Sequence, residues 1–154
     1  MSFALFLERG GVYPDIKGSN HEEVLQEFIK ALPRDLLPEK DKLLEAVLER
    51  EALMPTGIGN GIALPHPRNP LITDENRQFI AMAILAKPVN WNSLDGKPVH
   101  TLFLIVSASA KIHLKTLSEI TFFSRQENFI KLLDKRAPLE EMLHSLREAE
   151  KSWY

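Results

Sequence analysis

A chain of 154 residues is the size of one globular domain and can bury roughly two-thirds of the surface that it exposes when unfolded. With 19 Lys and Arg against 21 Asp and Glu, a net charge of −2 and no long run of one sign, it lacks the basic footprint of a nucleic-acid binder. The absence of cysteine removes disulfide scaffolds, thiolate zinc sites and cysteine nucleophiles, and fits a reducing compartment.

Residues 1–9 lack the basic region and longer apolar stretch of a secretory signal, so a cytoplasmic location is expected. Asn20 with Glu23 three residues on resembles a capping box, and Val24, Leu25, Phe28 and Leu32 then repeat at helical spacing until Pro33. This predicts a first helix over 21–32. Pro38 suits the first turn of a second helix, whose stripe of Leu43, Leu44, Val47 and Leu48 ends before Pro55 and whose last turn holds Arg50 and Glu51. Thr56-Gly57-Ile58-Gly59-Asn60-Gly61 is a glycine-rich turn, and Ile62-Ala63-Leu64 predicts a short buried strand with a reactive segment at its end.

The nearly continuous apolar runs 79–86 and 99–107 predict strands covered on both faces by helices, with Asp95-Gly96-Lys97-Pro98 as the turn into the second. From Lys111 the spacing of Leu114, Leu117, Ile120 and Thr121 is helical, and Phe129 to Leu133 gives a shorter helical segment. A last helix is expected near Pro138 with a stripe of Leu139, Met142, Leu143 and Leu146, and a frayed tail after Glu148. No run reaches the ~18 apolar residues of a membrane-spanning helix. The whole of 1–154 therefore reads as a single α/β domain, a central sheet with helices packed on it.

A neutral imidazole is a good nucleophile near neutral pH and, where it accepts a phosphoryl group, gives a phosphoramidate that can pass the group on; read from the residues alone, His66 beside its prolines suits an ordinary loop histidine as well as a nucleophile. A transferring phosphoryl group spreads negative charge over three oxygens, so cations and N–H donors are needed around it. Arg50, a protonated His113 and the amides of the Gly57, Gly59 and Gly61 turn are the candidates, the turn as a phosphate cradle. A position of His113 in the first turn of its helix would add the positive end of the helix dipole. Read from the residues alone, Arg50 also suits a helix C-terminal contact with a surface carboxylate, and His113 a capping or packing role. His21, His100 and His144 read as ordinary strand or helix-surface residues, and no histidine has metal-ligand spacing with another. The glycine spacing differs from a dinucleotide fingerprint, and a strand comes after it where that fingerprint requires a helix. Trp91, Phe103, Phe122 and Phe123 are read as core.

The stretch Arg50-Glu51-Ala52-Leu53-Met54-Pro55-Thr56-Gly57-Ile58-Gly59-Asn60-Gly61-Ile62-Ala63-Leu64-Pro65-His66 resembles the active-site signature of enzyme IIA of the fructose/mannitol type in the bacterial phosphoenolpyruvate-dependent phosphotransferase system, its nitrogen-regulatory branch included. Ile112-His113-Leu114-Lys115-Thr116-Leu117 falls where the family's second histidine is expected, and Val89-Asn90-Trp91 and Asp95-Gly96-Lys97-Pro98-Val99 extend the likeness over about 20–147. The resemblance implies a mixed sheet flanked by helices, and a phosphohistidine carrier in which His66 takes its group on Nε2 from an HPr-type protein. It implies Arg50 and His113 as stabilising groups, and neither cofactor nor metal. Pro67 stands where the family usually has a small residue, often glycine, and removes a backbone N–H. With no IIB, IIC or DNA-binding segment in the sequence, that departure favours a regulatory role, in which the phosphorylation state of His66 controls a target protein. The alternative is a sugar-specific IIA component that hands phosphate to a IIB domain, with a membrane IIC partner moving the sugar.

Overall fold

The computed structural model describes residues 3–151. Two short elements come first, α1 (Phe3–Gly10) and β1 (Val12–Ile16), followed by α2 (His21–Ala31) and α3 (Lys40–Leu53). The glycine-rich stretch makes a small hairpin of β2 (Gly57–Gly59) and β3 (Ile62–Ala63). The long strands β4 (Phe79–Val89) and β5 (Val99–Val106) come next, then α4 (Ala110–Phe123), α5 (Glu127–Asp134) and α6 (Leu139–Lys151).

The strands form one mixed sheet in the order β1-β4-β5-β3-β2. β4 and β5 pair antiparallel from Phe79 opposite Val106 to Ile84 opposite Thr101, while β3 runs parallel to β5 and β1 parallel to β4. Successive side chains of a strand point to opposite faces, and here both faces are covered. Leu102 and Leu104 join Val24, Leu25, Phe28, Leu43 and Val47 of α2 and α3 on one side. Phe103 and Ile105 join Phe3, Leu7, Ile120 and Met142 of α1, α4 and α6 on the other.

The expected helices and strands are present, with shifts that have local causes. α1 and β1 have no counterpart among the elements expected from the sequence. The first is only two turns long, and the second carries Pro14 and a positive φ at Asp15, features tolerated at the sheet edge that β1 occupies. α3 begins at Lys40 with Glu39 as its N-cap, so Pro38 lies just outside the first turn expected to contain it. β4 runs on to Val89, opposite Val99. Instead of fraying after Glu148, α6 continues to Lys151, and Glu150 accepts a hydrogen bond from the Ala4 amide at 3.1 Å; residues 152–154 lie outside the described residues. Trp91, Phe103 and Phe123 are core, whereas Phe122 is 43% exposed. No helix among the described residues is long and apolar enough to cross a membrane.

Candidate active site

A two-residue strand such as β3 is too short to hold the end of its own chain segment in place. The Leu64 amide donates to the Thr56 carbonyl at 3.0 Å, and the Ile105 amide to the Pro65 carbonyl at 3.1 Å, so residues 64–65 prolong β3 between β2 and β5. His66 thus leaves the sheet at the carboxyl end of the parallel β3–β5 pair. The chain turns from β5 into α4 at the same end, the place where open α/β sheets bind their ligands.

The His66 ring is 8% exposed, and its Nδ1–H donates to the Leu64 carbonyl at 2.7 Å. A carbonyl only accepts, so the proton belongs on Nδ1 and the lone pair of neutral His66 is left on Nε2. The His113 ring lies 4.5 Å away, centroid to centroid, tilted by 48°. Ser109 caps α4 by accepting from the Ile112 amide at 3.2 Å, which fixes the first turn that carries His113. Arg50, in the last turn of α3, donates from Nη1 to the Met54 carbonyl at 2.8 Å, a contact that favours a cation at the negative end of a helix. Its neighbour Glu51 is 6% exposed and accepts from both the amide and the hydroxyl of Thr56, at 2.7 and 2.6 Å. That clamp ties the end of α3 to the start of β2 and so fixes Arg50 relative to His66.

Charge at this end is unbalanced in favour of cations. Burial, then His66 and Arg50, push the His113 pKa down to about 4. His66 is also lowered, first by burial and further by Arg50, against the opposing pull of the Leu64 carbonyl and Glu51. This favours a neutral His113 near pH 7 before any anion arrives. An arriving phosphoryl dianion reverses this balance and favours the protonated ring.

The tip of the glycine turn, proposed as a phosphate cradle, points away from His66. Asn60, at its tip, donates from its side-chain amide to the Ser124 carbonyl at the far end of α4, eleven residues or about 16 Å of helix from His113. Its backbone amide donates instead to the Asp95 carboxylate at 3.0 Å. The glycines serve close packing. A Cβ on Gly57 would meet Ser93 Oγ at 2.2 Å, and one on Gly61, which has a φ of 77°, would meet His100 Nε2 at 2.2 Å.

The family profile described as "Phosphoenolpyruvate-dependent sugar phosphotransferase system, EIIA 2" matches residues 5–149. The chain belongs to this family. It is 30% identical over 125 residues to a nitrogen regulatory protein of Bradyrhizobium diazoefficiens, covering 79% of each chain. The EIIA fold is matched by the crystal structure of nitrogen regulatory protein IIA-Ntr from Neisseria meningitidis, with a TM-score of 0.80, 25% identity and coverage of 95% of this chain and 99% of that one. Enzyme IIAMTL in its complex with phosphorylated enzyme IIBMTL from Escherichia coli shares the fold at a TM-score of 0.66, with 19% identity over 91% of this chain and 95% of that one.

The EIIA chain brings all three expected residues, His66, Arg50 and His113, to one place. His21, by contrast, packs on Trp91, His100 sits at the start of β5 and His144 is exposed on α6. No group of three or more metal-ligating side chains exists among the described residues. Two features were missed at the sequence level. The Leu64 carbonyl, which sets the His66 tautomer, belongs to the backbone and leaves no side-chain signal. Glu51 was legible only as a neighbour of Arg50, because its partner Thr56 lies beyond the end of the helix.

Proposed function

We propose that this protein is a phosphohistidine carrier whose His66 accepts a phosphoryl group on Nε2 from an HPr-type protein. The observation that carries the reading is the 2.7 Å hydrogen bond from His66 Nδ1 to the Leu64 carbonyl, which leaves Nε2 as the nucleophile beside His113 and Arg50. Nε2 attacks the donor's phosphorus, the new N–P bond forms as the donor's breaks, and the bonding pair returns to the donor imidazole. The Nδ1 proton stays against the Leu64 carbonyl, which supports the positive charge of the phosphorylated ring. Arg50 and His113 stabilise the phosphoryl oxygens, and His113 takes up a proton as they arrive. No step needs a metal or cofactor.

We favour a regulatory destination, in which the phosphorylation state of His66 controls a target protein in the cytoplasm. A nitrogen regulatory relative matched over 79% of each chain supports it. Handing the group to a IIB domain is the second reading, supported by the fold shared with the IIA half of a IIA–IIB complex. Intact-mass analysis after incubation with phosphoenolpyruvate, enzyme I and an HPr-type carrier tests the shared step. An acid-labile phosphate on wild type and none on His66→Ala is the expected result, and persistent labelling of the variant would sink the assignment. Adding a IIB domain to the labelled protein then separates the destinations.

A further inference from the structure

His113 also borders a separate pocket of about 100 Å3. It is lined by the loop after His66, including Pro67 and Arg68, by Ile105 and Ser107 at the end of β5, and by Ala110 and His113 of α4. Neither His66 nor Arg50 lines it, so His113 alone is shared with the three-residue cluster.

Three independent features give this pocket anionic preference. Ser107 is 4% exposed, and its hydroxyl has no hydrogen-bond partner, an arrangement that protein interiors avoid. The fourteen-residue α4 starts here. Ser109 takes the amides of Ile112 and His113 with its hydroxyl and carbonyl, so those of Ala110 and Lys111 are the first-turn donors left for an outside acceptor. Arg68 supplies a full positive charge at the rim, and no carboxylate lines the walls. The volume is well below the roughly 300 Å3 at which pockets for larger organic ligands begin.

We propose that this pocket binds one free tetrahedral oxyanion of the size and charge of inorganic phosphate, held by the Ser107 hydroxyl, the Ala110 and Lys111 amides, Arg68 and His113. Hydroxyl and amide donors suit a hydrogen-phosphate ion, whose own P–OH has the Ser107 oxygen as acceptor. The site differs from the phosphoryl position on His66 in every contact except His113, and Pro67 forms part of its wall instead of donating to it.

The test is titration of the 15N-labelled full chain with inorganic phosphate at constant ionic strength, sodium chloride replacing phosphate in the control. Saturable shifts are expected at the amides of Ala110, Lys111 and Ser107, with the chloride control flat. Ser107→Ala should weaken binding about fivefold, the worth of one neutral hydrogen bond, and Arg68→Gln about tenfold. Unchanged distant amide shifts report that each variant is folded. His66→Ala, which carries no phosphoryl group, should still give saturable shifts at the same amides, so the result stands apart from the carrier reading. The proposal is overturned if phosphate gives no saturable shift at those amides. It is equally overturned if binding survives both Ser107→Ala and Arg68→Gln but is lost in Arg50→Gln, which would place the ion at the phosphoryl position.

Discussion

The two ends of the β3–β5 pair are built from similar residue types and do opposite things with them. At the hairpin end, the polar groups are paired within the fold. The Asn60 amide meets Asp95, the Asn60 side chain meets the Ser124 carbonyl, and His100 lies between Thr101 Oγ1 at 2.8 Å and Asp134 at 3.6 Å. At the other end His66, His113 and Arg50 converge, and the nearby carboxylate, Glu51, is occupied by Thr56. One end offers its cations a carboxylate; the other gathers cationic and basic groups beside a carboxylate already hydrogen-bonded to Thr56. The difference marks the candidate site by charge left unpaired, not by motif density, because the tip of the glycine-rich turn belongs to the closed end.

Removing the nucleophile is the sharpest way to break this comparison. His66→Ala is expected to lose all acid-labile phosphate in the mass assay, while His100→Gln keeps it. Arg50→Gln comes next. Losing one preorganised donor to a developing anion typically costs a factor of about 10² to 10³ in rate, and the labelling time course under limiting donor should slow by that order. A rate within threefold of wild type would reduce Arg50 to a cap for the Met54 carbonyl.

The closed end should respond in stability instead. Gly61→Ala places a methyl against His100 Nε2 at a positive φ, so left-handed strain and overpacking together should cost about 2–4 kcal/mol in urea unfolding. The folded fraction should still label at the wild-type rate. Loss of labelling without loss of stability would return the glycine turn to the chemistry.

How legible this was depends on the kind of signal each part leaves. α2, α3 and the two long strands declare themselves by period, because one face or both faces of each are apolar over many residues. α1 and β1 are short and owe their form to β4, on which they pack, so local pattern is silent about them. His66, Arg50 and His113 were readable because their chemistry resides in side chains within recognisable segments. The electrostatic state of His113 was not readable, since its neutrality arises from burial beside His66 and Arg50, which are distant in sequence. The glycine turn was misleading for a similar reason: it is close to His66 in sequence, but its tip at Asn60 contacts the far end of α4.

The smallest expected effect is the dependence of stability on pH, and its sign is set by the histidines. In the unfolded chain each imidazole titrates near its ordinary value of about 6.5. Folded His113 titrates at about 4, and His66 and His100 are also lowered, first by burial. Between those values the unfolded chain binds more protons than the folded one, so stability must fall as pH drops from about 6.5 toward 4 and level off below. Asp95 is lowered as well, by the Asn60 and Lys97 amides, and as a carboxylate it gives up its contribution only in more acidic solution. Urea unfolding at pH 7 and pH 5 should therefore show a loss that His113→Gln reduces more than His100→Gln does, because Asp134 already offsets part of the lowering at His100. Phosphorylation supplies the decisive variation. A dianion on His66 raises His113, so the acid-induced loss should shrink in the phosphorylated protein, whereas an unchanged loss would mean that the phosphoryl group does not face His113.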